Sequence, residues 1–351
     1  MAYFANTTNS SMLSTSSYNH TTPSSTNFLE ETIINQVISK TWVGFLVGII
    51  FFALLGNMLV ILVFLIDKRL RMSTHYFMFS LAVSDVITAA FVMTFEVDQL
   101  LNGWRHSQAL CQIWTTTYLF NVPVSILTAC VSSIDRWYAI RRPLKYRADI
   151  GGVKRKALCA ILVVWIYSVL FALIPKMGWN RGGMANDRCF FNIKVAYSIL
   201  SSSLNFILPS FITAFFYYNM FAEMKRQTKR RRKFMVGSKC SQRNPSQNGS
   251  VRMNFMSNVN LAKSYTLIGS LLMITWSPFT FISIVKNVCS YFNTEVCSAA
   301  WEINQNISNG FLIFGYFNSA INPVVYVLRF RSFRVAIRNW FLYRKRRLGI
   351  Q

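Results

Sequence analysis

The stretch TWVGFLVGIIFFALLGNMLVILVFLI, residues 41–66, runs for 26 residues without one charged side chain. A helix needs about 20 such residues to cross about 30 Å of hydrocarbon. In lipid the backbone must also satisfy its own hydrogen bonds, which selects helix over strand for a run of this length. Six further runs of the same kind follow at 75–101, 110–134, 157–176, 195–221, 264–288 and 301–328. The chain therefore reads as all-α: a seven-transmembrane helix bundle with a short amphipathic C-terminal helix. Residues 1–40 read as a disordered outer tail, 41–328 as the membrane domain and 329–351 as a membrane-surface helix with a short tail.

Composition agrees with this reading. Of 351 residues, 53% are hydrophobic and 14% charged, whereas a soluble domain carries about 25% charged residues. The formal charge of +25 would suit a nucleic-acid binder, but its placement does not. Thirty of the 37 Lys and Arg fall in 67–73, 136–156, 225–263 and beyond 328, which all lie on one face if seven spans are crossed. The positive-inside rule puts that face in the cytoplasm and the N-terminus outside. Anionic lipid and an acidic cytosolic partner account for the charge, so no nucleic-acid partner is expected. The Ser-, Thr- and Asn-rich segment 1–40 lacks a basic-then-apolar start, and the first span is expected to act as its own insertion signal. Asn6, Asn9 and Asn19 begin glycosylation sequons in this outer tail.

Topology sorts the seven cysteines. Cys111, Cys189, Cys289 and Cys297 fall on the outer side, where disulfides survive, and four cysteines allow three pairings. Cys130 and Cys159 lie inside spans, and Cys240 is cytosolic.

Burying an ionisable group in a membrane is costly, and Asp85 sits mid-way along span 2. Its expected companions are neutral oxygens: Ser125 in span 3 and Asn318, Ser319 and Asn322 in span 7. Such a ring suits a small cation, a proton on the carboxyl, or an interhelical hydrogen-bond network alone. Pro123, Pro175, Pro209, Pro278 and Pro323 fall within spans and predict kinks; Pro123 has no evident functional reason. At the cytoplasmic end of span 3, Asp135 precedes Arg136 and can hold the arginine against its own helix until a partner competes for it. The following loop offers an apolar knob, Leu144, on a basic background. After Tyr326, apolar residues at 330, 333, 337, 340 and 341 make one helical face with arginines opposite, an interfacial helix. The basic loop 227–257 reads as disordered.

Taken together these residues resemble the rhodopsin-like (class A) G protein-coupled receptors over 41–342. The markers appear in order: Gly56-Asn57, Leu81-Ala82-Val83-Ser84-Asp85, Asp135-Arg136-Trp137, Trp165, Pro209 with Tyr217, Thr275-Trp276-Ser277-Pro278-Phe279, and Asn322-Pro323-Val324-Val325-Tyr326. The resemblance implies that Arg136 engages a Gα subunit once span 6 swings outward, and that Leu144 packs into it. Trp276 would be a switch beneath the ligand, with Pro209 and Ile126 in a core relay. Tyr217 and Tyr326 would stabilise the open state. Asp85, Ser125, Asn318, Ser319 and Asn322 match the family's sodium pocket, so sodium is an expected allosteric modulator and no other cofactor is implied. A Cys111–Cys189 disulfide is implied too, and Cys289–Cys297 would close the loop between spans 6 and 7. Expected partners are a heterotrimeric G protein, arrestin, receptor kinases, membrane lipid and an extracellular small ligand, with the protein in the plasma membrane.

The chain departs from the family at several points. Trp137 replaces a Tyr, Leu272 replaces a Phe in the relay, and Asn258 stands where many amine receptors lock Arg136 with a Glu. Loss of that lock predicts raised basal signalling. The nearest pattern is the biogenic-amine branch, on Gly315-Tyr316-Phe317-Asn318-Ser319, Asn102-Gly103-Trp104 and the polar trio Ser201, Ser202 and Asn205. That branch pairs the ligand ammonium with an Asp in span 3, where this chain has Tyr118. An ammonium without a carboxylate is strongly disfavoured. Glu96 and Asp98 could substitute from span 2, on a different wall of the pocket, or simply face water at the membrane edge. Tyr118, Trp276, Phe279 and Tyr316 would make an aromatic cage able to hold a cation or a flat ring, and Thr280 completes the expected ligand wall. A nucleoside, lipid or peptide ligand, or ligand-free signalling, is the alternative. Nothing resembles a nucleophile–base pair, and His20, His75 and His106 are too dispersed for a metal, so no enzymatic activity is expected. The absence of Lys from 301–328 excludes a retinal Schiff base there. One deep charge without an internal repeat argues against a transporter.

Overall fold

The computed structural model describes residues 25–67, 70, 73–179, 184–185, 188–189, 193–237, 245–292 and 305–347. Seven helices are long and apolar enough to cross a membrane: Lys40–Ile66, His75–Asn102, Gln108–Arg141, Ile150–Met177, Val195–Arg230, Val259–Cys289 and Ile307–Arg329. They are numbered here as spans 1–7. Large apolar side chains such as Phe45, Phe52, Leu162, Phe211, Phe215 and Phe281 point away from the bundle. In water so wide an apolar surface would drive association; in a bilayer it is the lipid-facing wall. Span 3 is central, packing against spans 2, 4, 5 and 6, while span 1 packs on spans 2 and 7.

Small residues and directed amides set these contacts. A Cβ on Gly56 would stand 2.7 Å from Pro323 Cβ, so glycine is what lets span 1 touch span 7. Asn57 Nδ2 then donates to the carbonyls of Ala53 and Ser319, both at 2.9 Å. Trp165 Nε1 donates to Ser80 Oγ at 3.0 Å and ties span 4 to span 2.

Two π turns interrupt the spans, at Thr88–Met93 and Ser203–Ile207. A π turn carries one extra residue and leaves carbonyls out of register. In span 2 these are taken up by neighbours: Trp114 Nε1 donates to Val92 O at 2.9 Å, and Thr94 Oγ1 to Ala89 O at 3.0 Å. The turn in span 5 sits just before Pro209, whose missing N–H cannot continue the ladder. Pro123, Pro278 and Pro323 lie inside helices as expected. Pro175 instead opens the tight turn Ile174–Met177 that ends span 4.

On the outer side Met184–Ala185 pairs antiparallel with Arg188–Cys189. Cys189 is disulfide-bonded to Cys111 at the top of span 3, and its N–H donates to Gln99 Oε1 at 2.8 Å. Trp104 and Trp114 pack around this bond. Cys289 is also disulfide-bonded; Cys297, the partner expected for it, lies outside the described residues, as do Asn6, Asn9 and Asn19.

Three boundaries differ from expectation. The first helix begins at Ser25, inside the segment read as a disordered tail. Helix Leu208–Gly237 and helix Pro245–Phe292 together claim most of the loop 227–257 read as disordered. Beyond span 5 the run Lys225–Lys233, rich in long straight-chain Lys, Arg and Gln, extends the helix past its apolar stretch. The surface helix Arg331–Arg347 turns Phe333 and Ala336 onto the bundle rather than only onto lipid. Arg334 Nη1 donates to the carbonyls of Val327 and Leu328, at 3.1 and 2.6 Å, and so closes the end of span 7.

Candidate functional site

A cavity of about 160 Å³ lies between the outer halves of spans 3, 5, 6 and 7. Span 3 contributes Tyr118, Pro123 and Ile126, span 5 Ser201, Ser202 and Asn205, and span 6 Trp276, Phe279 and Thr280. Pro123 thus acquires a place: it forms cavity wall. Trp276 packs at 6.4 Å from Tyr118, 6.2 Å from Phe279 and 5.9 Å from Tyr316, each edge to face. A Cβ on Gly315 would come within 3.0 Å of the Trp276 ring, so that glycine seats the indole. Asn205 Nδ2 reaches Ser201 Oγ at 3.4 Å, while its buried Oδ1 accepts no hydrogen bond. That oxygen and the serine hydroxyls offer a ligand donors and acceptors on one wall.

Two expected members stand behind this wall. Tyr316 is fully buried against Trp276, and Glu96 is buried on span 2 rather than facing water. It is Asp98 that meets the outside, where it bonds Asn102 and His106, each at 2.8 Å. Lys286, Ser308, Asn287 and Ser198 are among the lining residues that escaped the sequence reading. Lys286 Nζ donates to Ser308 Oγ at 2.8 Å, and Asn287 Nδ2 to Ser198 Oγ at 2.6 Å. Lys286 follows Phe279 by seven residues and so shares its helix face; that spacing was the available signal.

Below the cavity Asp85 is buried. Ser319 Oγ donates to its Oδ1 at 2.6 Å and Asn322 Nδ2 to its Oδ2 at 2.9 Å. Ser125 instead shares a hydrogen bond with Ser84 Oγ at 3.0 Å. Asn121 joins the same network, donating to Ser84 O and Thr88 Oγ1. Asn318 Oδ1 and Asn322 Oδ1 are buried and accept no hydrogen bond. A carboxylate amid hydroxyls and two unspent amide oxygens is a donor set suited to a small hard cation. Among the described residues no cluster of three His, Cys, Asp or Glu could hold another metal.

At the cytoplasmic end Arg136 is ion-paired with Asp135 and also donates to Tyr146 Oη at 2.5 Å. Tyr146 Oη donates onward to Asp135 at 3.2 Å. The guanidinium lies over the rings of Tyr146 and Tyr265, at 5.5 and 5.7 Å. Tyr217 Oη donates to Tyr265 O at 2.9 Å and joins span 5 to span 6. Tyr326 is fully buried, edge-on to Phe330 and Phe333. Leu144, 83% exposed on the short helix Pro143–Ala148, projects as the expected knob. The Asn258 side chain lies outside the described residues. Ile126 and Leu272 are buried together beside Trp276, and so connect the cavity floor to the lower half.

Comparison with known proteins agrees with this geometry. Residues 56–326 match the family described as 7 transmembrane receptor (rhodopsin family). The octopamine receptor beta-2R of Chilo suppressalis is 30% identical over 331 residues, covering 87% of this chain and 80% of that receptor. The octopamine receptor beta-1R of Drosophila melanogaster is 31% identical over 317 residues, covering 84% of this chain and 60% of that receptor. The human alpha-1A adrenergic receptor is 26% identical over 316 residues, covering 83% and 66%. With seven apolar helices, the outer disulfide and these relatives, the chain belongs to the rhodopsin family of seven-transmembrane, G protein-coupled receptors, multi-pass membrane proteins and not enzymes.

Proposed function

We propose that this receptor sits in the plasma membrane with its N-terminus outside and binds a small extracellular amine in the cavity under the disulfide. One observation carries the reading. A cavity with an aromatic floor, Tyr118 and Trp276, faces hydroxyl and amide groups on span 5, Ser201, Ser202 and Asn205. Such a site accepts a flat ring bearing a phenol or similar polar edge, with the aromatic rings able to contact a cationic nitrogen. The names of the relatives, octopamine and adrenergic receptors, agree with a ligand of that size.

Binding above Trp276 would act on Ile126 and Leu272 and shift span 6 relative to span 3. Outward movement of span 6 separates Tyr265 from Arg136 and frees the guanidinium for the C-terminus of a Gα subunit, with Leu144 as a second contact. Asp85, Ser319 and Asn322, with Asn318 and Ser125 close by, would hold sodium in the resting form. The Asp135–Arg136–Tyr146 cluster supplies a restraint independent of residue 258, which opposes the raised basal signalling expected from Asn258 alone. Arrestin and receptor kinases would use the same cytoplasmic face.

The test is G protein dissociation in cells expressing the full chain, with octopamine and tyramine as probes beside a nucleoside, a lysophospholipid and a peptide panel. At least one amine should trigger dissociation, and Arg136→Ala should abolish it at equal surface density. A response undiminished in Arg136→Ala would sink the coupling role. Activation by another class alone would replace the amine reading.

A further inference from the structure

Span 2 carries two carboxylates that are each 2% exposed, and the structure treats them differently. Asp85 is hydrogen-bonded by Ser319 and Asn322. Glu96, in the outer third of the same helix, receives no hydrogen bond and no Lys or Arg ion pair from any described residue. A buried carboxylate that no described residue hydrogen-bonds or ion-pairs is unfavourable, and a cation arriving beside it is favoured.

The surroundings say what that partner is. Glu96 follows Val92 and Met93 on the inward face of the helix, and its neighbours Val97 and Leu100 pack in one cluster with Tyr118, Tyr316 and Trp276. Its charge is felt by both Tyr118 and Tyr316. Tyr118 is the shared residue, since its side chain also lines the cavity. Across the cavity stands a cation, Lys286, held toward span 7 by Ser308. The buried carboxylate beyond Tyr118 draws a ligand ammonium to the span 2 side of the pocket.

We propose that Glu96 is the anionic anchor of this receptor, taking the ligand's ammonium beside the Tyr118 ring while the aryl end reaches Ser201, Ser202 and Asn205. The acid is thereby moved from span 3 to span 2, and the ligand class is a monocationic arylalkylamine. This rests on the amine reading above. Tyr118 and Tyr316 then form the sides of a cationic subsite rather than the end of the pocket.

The experiment uses the full-length receptor with an N-terminal tag to normalise surface density, G protein dissociation as readout, and octopamine and tyramine as probes. Glu96→Gln should raise the half-maximal concentration of the active amine about a hundredfold, the loss expected when one partner of a buried charge pair is removed. Glu96→Asp should retain part of the response. The double variant Glu96→Gln with Tyr118→Asp should recover it, because a carboxylate is restored on the neighbouring wall, which a folding defect at position 96 would not allow. An unchanged half-maximal concentration in Glu96→Gln, or no recovery in a double variant present at the surface, would overturn the anchor while leaving the amine reading intact. Failure of both probes on the unmodified receptor would remove the amine reading and the anchor with it.

Discussion

At Asp85 the two carboxylate oxygens already accept hydrogen bonds from Ser319 and Asn322, yet the amide oxygens of Asn318 and Asn322 accept none. That imbalance of acceptors over donors is what a cation would correct. Replacing sodium by choline should therefore raise agonist affinity for the unmodified receptor, within the roughly 5- to 150-fold range of ordinary allosteric couplings. In Asp85→Asn and Ser319→Ala the effect should vanish, measured as competition binding in the two salts. Sodium sensitivity retained in Asp85→Asn would leave a proton or a dry network as the better account. Asp85, Ser319 and Asn322 were legible in the sequence because each lies inside an apolar run where a polar residue stands out, whereas Asn121 and Thr88 of the adjoining network were not singled out. Tyr146 was not, since it lies in a polar loop and meets Arg136 only because the short helix Pro143–Ala148 folds back.

Helices meet where side chains let them. Gly56 against Pro323 is the tightest such contact between spans 1 and 7, and any Cβ there must displace a proline ring held in a helix. Gly56→Leu should cost about 1–3 kcal/mol of stability, as overpacking does. It should appear as a lower thermal unfolding midpoint of the purified receptor; an unchanged midpoint would mean that span 1 slides freely. Gly56-Asn57 stood out in the sequence only as a family marker, although a small residue beside an amide inside a span suits close helix approach. The two π turns gave no hint. Thr88–Met93 contains neither proline nor glycine, and its carbonyls are rescued by Trp114 and Thr94, so the cause lies partly in another helix. Helix ends were equally hidden, because hydropathy stops at the membrane edge while the helix runs on into water.

For the molecule as a whole, charge is the dominant asymmetry. The clusters at 67–73, 136–156, 225–263 and beyond 328 face one side, and each Lys or Arg near an anionic leaflet is worth about 1 kcal/mol. The receptor should unfold at a higher temperature in nanodiscs containing phosphatidylserine than in phosphatidylcholine alone. The gap should close as salt shortens the screening length below about 8 Å. Equal midpoints at low salt would show that the basic face is solvated rather than lipid-bound. The fold was readable because hydropathy is a sum over many residues. The ligand was not, because it depends on which way a few side chains point. The π turn in span 2 bears on that difference. One surplus residue between Asp85 and Glu96 separates the rotational setting of the inner helix from that of the outer helix. A lineage could insert, delete or shift that residue and re-aim the ligand-facing side chains while the transduction core kept its phase. Ligand choice and signal output would then evolve as separable traits, and this chain, with its acid on span 2, would be one outcome of that freedom.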